Sequence, residues 1–232
     1  MTIVASAAPP ATLLTPAQAA AAAKIAFAVE TPGAVAVLCG PAGVGKTIVL
    51  RHLAATVNAT GRVVRVATLA ALEGDSGGAA AEHAGGLSWS DTMPDLLLVD
   101  DAHEADVAGL SGLMARCRRC GPAMAVVLAG QGRLLSLVAG DARLAQSIRL
   151  RATLPVFSFG DTCRLLAGRR IVGSAGGSGE AVLRSIHEIS GGVPAVSLRL
   201  AEVADMLAAA TPRPITADDI EIIHRRLSLS AA

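Results

Sequence analysis

The sequence predicts an α/β fold: a five-stranded parallel sheet sandwiched by helices, followed by an all-helical C-terminal region. Three observations predict it. Short apolar runs at 34–39, 95–100 and 123–129 have the pattern of strands covered on both faces. Helical patterns separate successive runs, which argues for βαβ units and parallel pairing. Beyond residue 157 only helical patterns remain. The 232 residues suffice for one sizeable core and an appendage. The expected division is a tail over 1–14, an α/β core over 15–156 and a helical domain over 157–230.

Each element has a local cause. Residues 1–14 are rich in Ala, Pro and Thr without helical periodicity, and read as a disordered tail. Thr15-Pro16 reads as an N-cap with proline at the first helical position, opening a helix over 16–30 that Thr31-Pro32-Gly33 stops. Ala34–Cys39 is the first strand, Gly40–Gly45 a glycine-rich turn, and Lys46–Asn58 a helix. Arg62–Ala67 is the second strand, and 73–94 is mostly loop. Asp95–Asp100 is the third strand, and a helix over 104–119 ends at Gly121-Pro122. Ala123–Ala129 and Arg149–Val156 supply the fourth and fifth strands. The later helices fall at 158–171, 180–190, 195–210 and 216–228, with a flexible loop at 173–179.

Composition excludes several function classes. The chain is 52% hydrophobic and 17% charged, which excludes general disorder. Twenty basic and nineteen acidic residues leave +1, so no bulk field draws it to nucleic acid or anionic lipid. Aromatics make up 2%, with no Tyr, which argues against a module that stacks bases on rings. The mean hydropathy is +0.53. No apolar run approaches the ~20 residues of a spanning helix, because Lys24, Gly40-Pro41 and Gly130-Gln131 interrupt the candidates. No membrane insertion is expected. The N-terminus lacks the basic region of a secretory signal, and four irregularly spaced Cys make no disulfide framework, so a cytoplasmic location is expected.

One motif carries chemistry. Gly40-Pro41-Ala42-Gly43-Val44-Gly45-Lys46-Thr47 matches the phosphate-binding loop pattern G-x-x-x-x-G-K-[ST]. Its glycines let the backbone wrap a polyphosphate with N–H groups turned inward, and the following helix N-terminus adds its positive dipole end. Lys46 would reach the β- and γ-phosphates, and Thr47 would hold Mg²⁺ through its hydroxyl. A strand pattern before the loop and a helix pattern after it set this apart from a chance Gly-rich loop. Leu96–His103 (LLLVDDAH) fits the second half of such a site. Asp100, at a strand end, would bind the Mg²⁺ shell; Asp101 sits where an ATPase needs a carboxylate to orient or deprotonate water. The alternative is that these acids satisfy free N–H groups at a helix N-terminus. Gln131, directly after the fourth strand, is either a γ-phosphate sensor or an ordinary helix start.

With the phosphate loop, LLLVDDAH, VVLAGQ and Ser190-Gly-Gly-Val-Pro194 in that order, the chain resembles a compact AAA+ P-loop ATPase. Within that group it is similar to the general secretion pathway protein A (ExeA-like) proteins, related to the TniB- and MuB-type transposition regulators. The similarity runs from about Thr15 to Leu227. It implies a helical lid, with nucleotide bound between core and lid and between subunits of a homo-oligomer. It implies ATP contacts at 40–48, through Ile48, and at Pro194. By position, Lys46, Thr47, Asp100, Asp101 and Gln131 match the family's phosphate, Mg²⁺, water-activating and sensing roles. Three positions depart from it. Asp101 replaces the usual Glu, one methylene shorter, and a ~1 Å misplacement can cost ~10²-fold in rate. Ala195 stands where the lid often supplies an Arg. Ser147 stands where an Arg is usual, leaving Arg149 or Arg151 to act in trans, a role worth ~10³–10⁵ in rate.

Smaller signals read more plainly. Cys117 and Cys120 have C-x-x-C spacing without a second pair, and read as ordinary thiols. His103 reads as a structural or interface residue. Clusters at Arg116/Arg118/Arg119, Arg143/Arg149/Arg151, Arg169/Arg170 and Arg225/Arg226 are solvated faces, subunit contacts, or a stripe for duplex DNA in an assembly. The expected function is a Mg-ATP-binding, oligomerising ATPase that remodels or regulates a protein partner. The alternatives are a weak or inactive ATPase serving as a nucleotide-gated scaffold, and an ATP-dependent DNA-binding regulator of the transposition type.

Overall fold

The computed structural model describes residues 14–73, 93–171, 178–211 and 213–229. The tail expected over 1–14 lies outside them except for Leu14, as do 74–92 of the long loop and 173–177 of the later one. In chain order the elements are α1 (Pro16–Val29), β1 (Val35–Cys39), α2 (Lys46–Asn58), β2 (Val64–Thr68), α3 (Leu69–Glu73) and β3 (Leu96–Asp100). A 3₁₀ turn (Ala102–Glu104) leads to α4 (Val107–Cys120), β4 (Ala125–Gly130), α5 (Gly132–Ala139), α6 (Ala142–Ser147) and β5 (Ile148–Thr153). The helices α7 (Phe159–Leu166), α8 (Ser178–Ser190), α9 (Pro194–Ala210) and α10 (Ala217–Leu229) follow.

The five strands form one parallel sheet in the order β2-β3-β4-β1-β5. That order sorts the strands by composition. The apolar β1 and β4, and β3, apolar up to its terminal Asp100, are central and buried along their whole length. The arginine-bearing β2 and β5 take the two edges, where charged side chains reach water and blunt the unpaired edge. Helices α1 and α2 lie against the sheet with Ile25, Val49, Leu50 and Leu53 buried. Val35, Val37, Leu97, Val99, Val126 and Leu128 point into the core cluster completed by Leu110, Leu113 and Leu134 of α4 and α5. Each fully buried Leu contributes about 2–3 kcal/mol of transfer free energy, so the sheet is held mainly by apolar burial.

Local chemistry sets the ends. Thr15 and Gln18 form a capping box on α1, with Pro16 at its first position as the sequence predicts. The helix expected from 104 starts at Val107 instead, because the Asp106 side chain caps Gly109 N at 2.6 Å. The fifth strand, expected to reach 156, stops at Thr153: Leu154 N still donates to Cys39 O at 2.8 Å, and Pro155 has no N–H to continue. The helix expected over 158–171 ends at Leu166. Helices α3 and α6 are too short to show a clear period, and α5 begins at the helix start that Gln131 offers.

The chain divides into two compact units, one of Met1–Gly40 with Lys46–Leu154, the other of Pro155–Ala232 with Pro41–Gly45. Within the second, α7–α10 bury Leu166, Val182, Ile186, Leu200, Ala204 and Ile220 together. The Ser190–Pro194 stretch is the turn from α8 to α9. Gly192 has φ +72°, and a Cβ there would meet Phe157 O at 2.4 Å, so only glycine fits. Asp219, buried in the first turn of α10, accepts bidentate bonds from Arg213 at 2.7 Å and from Thr216 N at 2.9 Å.

The Arg213 guanidinium, together with Thr216, holds the Asp219 carboxyl well below the usual carboxylate range, against the cost of burial. Because the folded pKa lies below the unfolded one, this stability is complete above about pH 4 and is lost as pH falls further. Asp219→Asn should cost about 1–2 kcal/mol at pH 7. Urea unfolding between pH 7 and pH 2 should also show a shallower acid decline in the variant than in the parent.

Candidate functional site

β1 delivers the chain into the loop Gly40–Gly45, and α2 receives it at Lys46. Gly40 N donates to Gly130 O at 3.2 Å, tying the loop's entrance to the end of β4. Gly43 is left-handed at φ +72°, and a Cβ there would lie 2.8 Å from the Ala195 Cβ. Its carbonyl accepts from Ala195 N at 3.3 Å. Ala195, at the position where the family resemblance implies an arginine, is thus the small residue seated on the loop. Pro41, Ala42 and Ile48 are exposed, Val44 is buried, and Pro194 is buried as the first residue of α9.

Lys46 is 7% exposed, and its Nζ donates to Gly40 O at 3.0 Å. Burial pushes its ammonium below the ordinary lysine range, while the negative charges of Asp100 and Asp101 partly restore it. Thr47, in the first turn of α2, donates from Oγ1 to Asp100 Oδ2 at 2.6 Å. Asp100 is 6% exposed at the end of β3, and its Oδ1 accepts from Asp101 N at 3.0 Å. The register pairs Cys39 with Gly130 and Val99 with Leu128, so the ends of β1, β3 and β4 share one sheet edge. A hydroxyl and a carboxylate at this distance are two hard oxygen donors of the kind Mg²⁺ takes, with phosphate and water oxygens completing its shell.

Asp101 has φ +53°, uncommon for a residue with a side chain, and its carboxylate makes no capping bond to the 3₁₀ turn that follows. The helix-capping alternative for this acid is therefore not realised. Gln131 stands at the N-cap of α5, also without a capping bond; its Nε2 lies 2.8 Å from His103 Nε2 instead. His103 O accepts from Arg133 Nη1 at 2.9 Å. The Gln131–His103 link spans 28 residues, and no spacing rule points to it. Only the adjacency of β3 and β4 reveals it.

Some expected residues are not brought to this edge. Arg149 and Arg151 are exposed on the edge strand β5, where Arg151 is in register with Val37, three positions short of Gly40. Ser147 turns its hydroxyl back to Leu144 O at 2.8 Å. Cys117 is a buried thiol of α4 that is not in a disulfide. Among the described residues no group of three or more His, Cys, Asp or Glu could hold a metal, and no helix is long and apolar enough to cross a membrane.

Residues 13–149 match the family described as the AAA domain, over more than half of the chain. A comparison with curated proteins gave no match. Among solved structures the chain is similar to a DNA replication initiation factor (14% identity, TM-score 0.59, 84% of this chain and 64% of that one). It is also similar to the Aeropyrum pernix ORC1 protein in complex with DNA (18%, TM-score 0.62, 92% and 65%). A Thermotoga maritima RuvB mutant is a third (19%, TM-score 0.57, 90% and 70%). The chain spans slightly under two thirds of the first two. At these identities the likeness concerns the fold.

The loop geometry makes a direct prediction. Gly43→Ala combines a left-handed backbone with a 2.8 Å contact on Ala195. It should lower stability by about 1–2 kcal/mol, measured as a shift of the urea midpoint at unchanged slope.

Proposed function

The chain belongs to the AAA domain family, and on that premise we propose that it is a Mg-ATP-binding ATPase of the cytoplasm. In this reading it assembles into a homo-oligomer and couples ATP binding and hydrolysis to the remodelling or regulation of a protein partner. The observation that carries the reading is the part-buried Thr47–Asp100 contact at 2.6 Å, with the ammonium of the buried Lys46 beside it. Lys46 and Asp100 are buried at the end of an apolar sheet, a costly place for two charged groups unless they have a task there. Mg²⁺ held there would supply charge neutralisation to the polyphosphate. Lys46 exchanges the Gly40 carbonyl for phosphate oxygens, and Thr47 with Asp100 presents the metal-binding oxygens. Asp101 orients or deprotonates the attacking water, and Gln131 reads the γ-phosphate. Arg149 and Arg151, exposed on β5, are the guanidiniums proposed to act in trans.

A second reading, a nucleotide-gated scaffold with little turnover, is favoured by Asp101, Ser147 and Ala195. The Asp101 carboxylate is 48% exposed and 3.9 Å from the His103 ring nitrogen. Ser147 and Ala195 place no guanidinium where the resemblance supplies one. Kinship with the ExeA-like and transposition-regulator groups belongs to these proposals, as does duplex DNA as a partner, which rests on the exposed Arg118 and Arg119 of α4. DNA binding of that kind would weaken steeply with salt and require ATP.

Steady-state ATP hydrolysis with Mg²⁺ beside Lys46→Ala tests the first reading. Turnover near ~1 s⁻¹, within the ordinary enzyme range, should vanish in Lys46→Ala and fall at least ~10²-fold in Asp101→Asn. ATP-dependent growth in particle size without Lys46-dependent turnover would replace it with the scaffold reading.

A further inference from the structure

We propose that His103 is a positioning residue, an imidazole relay that passes the state of Gln131 to the carboxylate of Asp101. This rests on the roles proposed above for those two residues. Three observations on one unit of the chain carry it.

The first is the identity of the atoms in contact. Gln131 presents Nε2, an atom that only donates, to His103 Nε2 at 2.8 Å. The ring nitrogen must then accept, which leaves the ring proton on Nδ1. The second is where that proton points. Nδ1 is buried without a hydrogen-bond partner, and the nearest carboxylate oxygen is Asp101 Oδ1 at 3.9 Å. That is about 1 Å beyond hydrogen-bonding distance. A buried N–H left unpaired is costly, so the arrangement is poised to close onto Asp101. The third is how firmly the ring is set. Arg133 Nη1 holds the His103 carbonyl at 2.9 Å. A Cβ on Gly130 would lie 3.0 Å from the His103 Cβ, so the glycine ending β4 is what admits His103 this close. Asp101 itself is held at φ +53°, a strained conformation of the kind found at functional positions.

The consequence follows from hydrogen-bond complementarity. While the Gln131 amide donates to Nε2, the imidazole presents Nδ1–H to Asp101 and draws its carboxylate toward the sheet edge. When the amide turns away to another acceptor, such as a phosphate oxygen, Nε2 is free to carry the proton and the pull on Asp101 ends.

The test has two arms. Without nucleotide, ¹⁵N NMR of the full chain labelled at histidine should show His103 with Nδ1 protonated and Nε2 unprotonated. Gln131→Ala should convert it to the other tautomer or a mixture. Protonated Nε2 in the parent, or a tautomer indifferent to Gln131→Ala, overturns the relay whether or not the protein hydrolyses ATP. In steady-state kinetics, His103→Gln keeps a partner for Gln131 and loses the donor to Asp101, whereas His103→Asn keeps a donor near the Nδ1 position. His103→Gln should lose ~10²-fold in kcat with KM changed less than about threefold, the loss expected of a misplaced catalytic group. His103→Asn should recover at least tenfold of that loss, and His103→Ala should add nothing further in an Asp101→Asn background. Equal losses in the Gln and Asn variants, or a change confined to KM, overturn the relay. Absence of Lys46-dependent turnover in the parent overturns the hydrolase reading instead, and leaves the tautomer measurement to decide the relay.

Discussion

The hydrogen bond from Thr47 to Asp100 joins the first turn of α2 to the last residue of β3, and both halves of the site depend on it. Its two partners come from elements that touch only because β4 lies between β1 and β3 in the sheet. The register of those central strands brings Cys39, Asp100 and Gly130 out at one edge. From there the chain enters the phosphate loop, the Asp101 turn and Gln131 respectively. Apolar burial of three strands is thus what sets the geometry of a polar site. The carboxylate of Asp100 is tolerated at 6% exposure because Thr47, Asp101 N and the neighbouring ammonium compensate it.

The Lys46 contact with Gly40 O gives that buried ammonium a partner within its own chain. A buried cation needs a partner, and the loop's own carbonyl provides one of modest strength. Modest strength suits the role proposed for Lys46, which is to leave that partner for a more negative one. The direction of its pKa shift fits: burial weakens the charged form, and the two aspartates sustain it.

The helical unit has its own logic. Its turn from α8 to α9 is fixed by Gly192 against Phe157 and by the buried Ser197–Ser190 contact at 2.9 Å. The Ser-Gly-Gly-Val-Pro signature is therefore first a solution to a helix–helix turn. Its following residue, Ala195, contacts Gly43 of the loop, which clusters with this unit. The resemblance drawn from the sequence implies an arginine at this position, and this chain holds a methyl group there.

Much of the molecule was legible in the sequence because the informative features are local. The strand cores AVAVLC, LLLVD and AMAVVLA, the capping pair Thr15 and Pro16, and the loop spacing from Gly40 to Thr47 each act within a few residues. Burial on both faces leaves an unbroken apolar run, and a phosphate loop needs its glycines in series. The pairing of Asp100 with the loop followed from strand ends facing the same way. What the sequence could not determine is the order of strands across the sheet, because a strand's pattern says how buried it is and not which neighbour buries it. That order decided which arginines lie on an edge, where Arg149 and Arg151 point to solvent, and it decided that His103 meets Gln131. It also decided that Asp101 adopts a left-handed turn without capping a helix. Local pattern fixes the elements and the loop, whereas hydrogen bonds between distant side chains exist only once the sheet has been assembled.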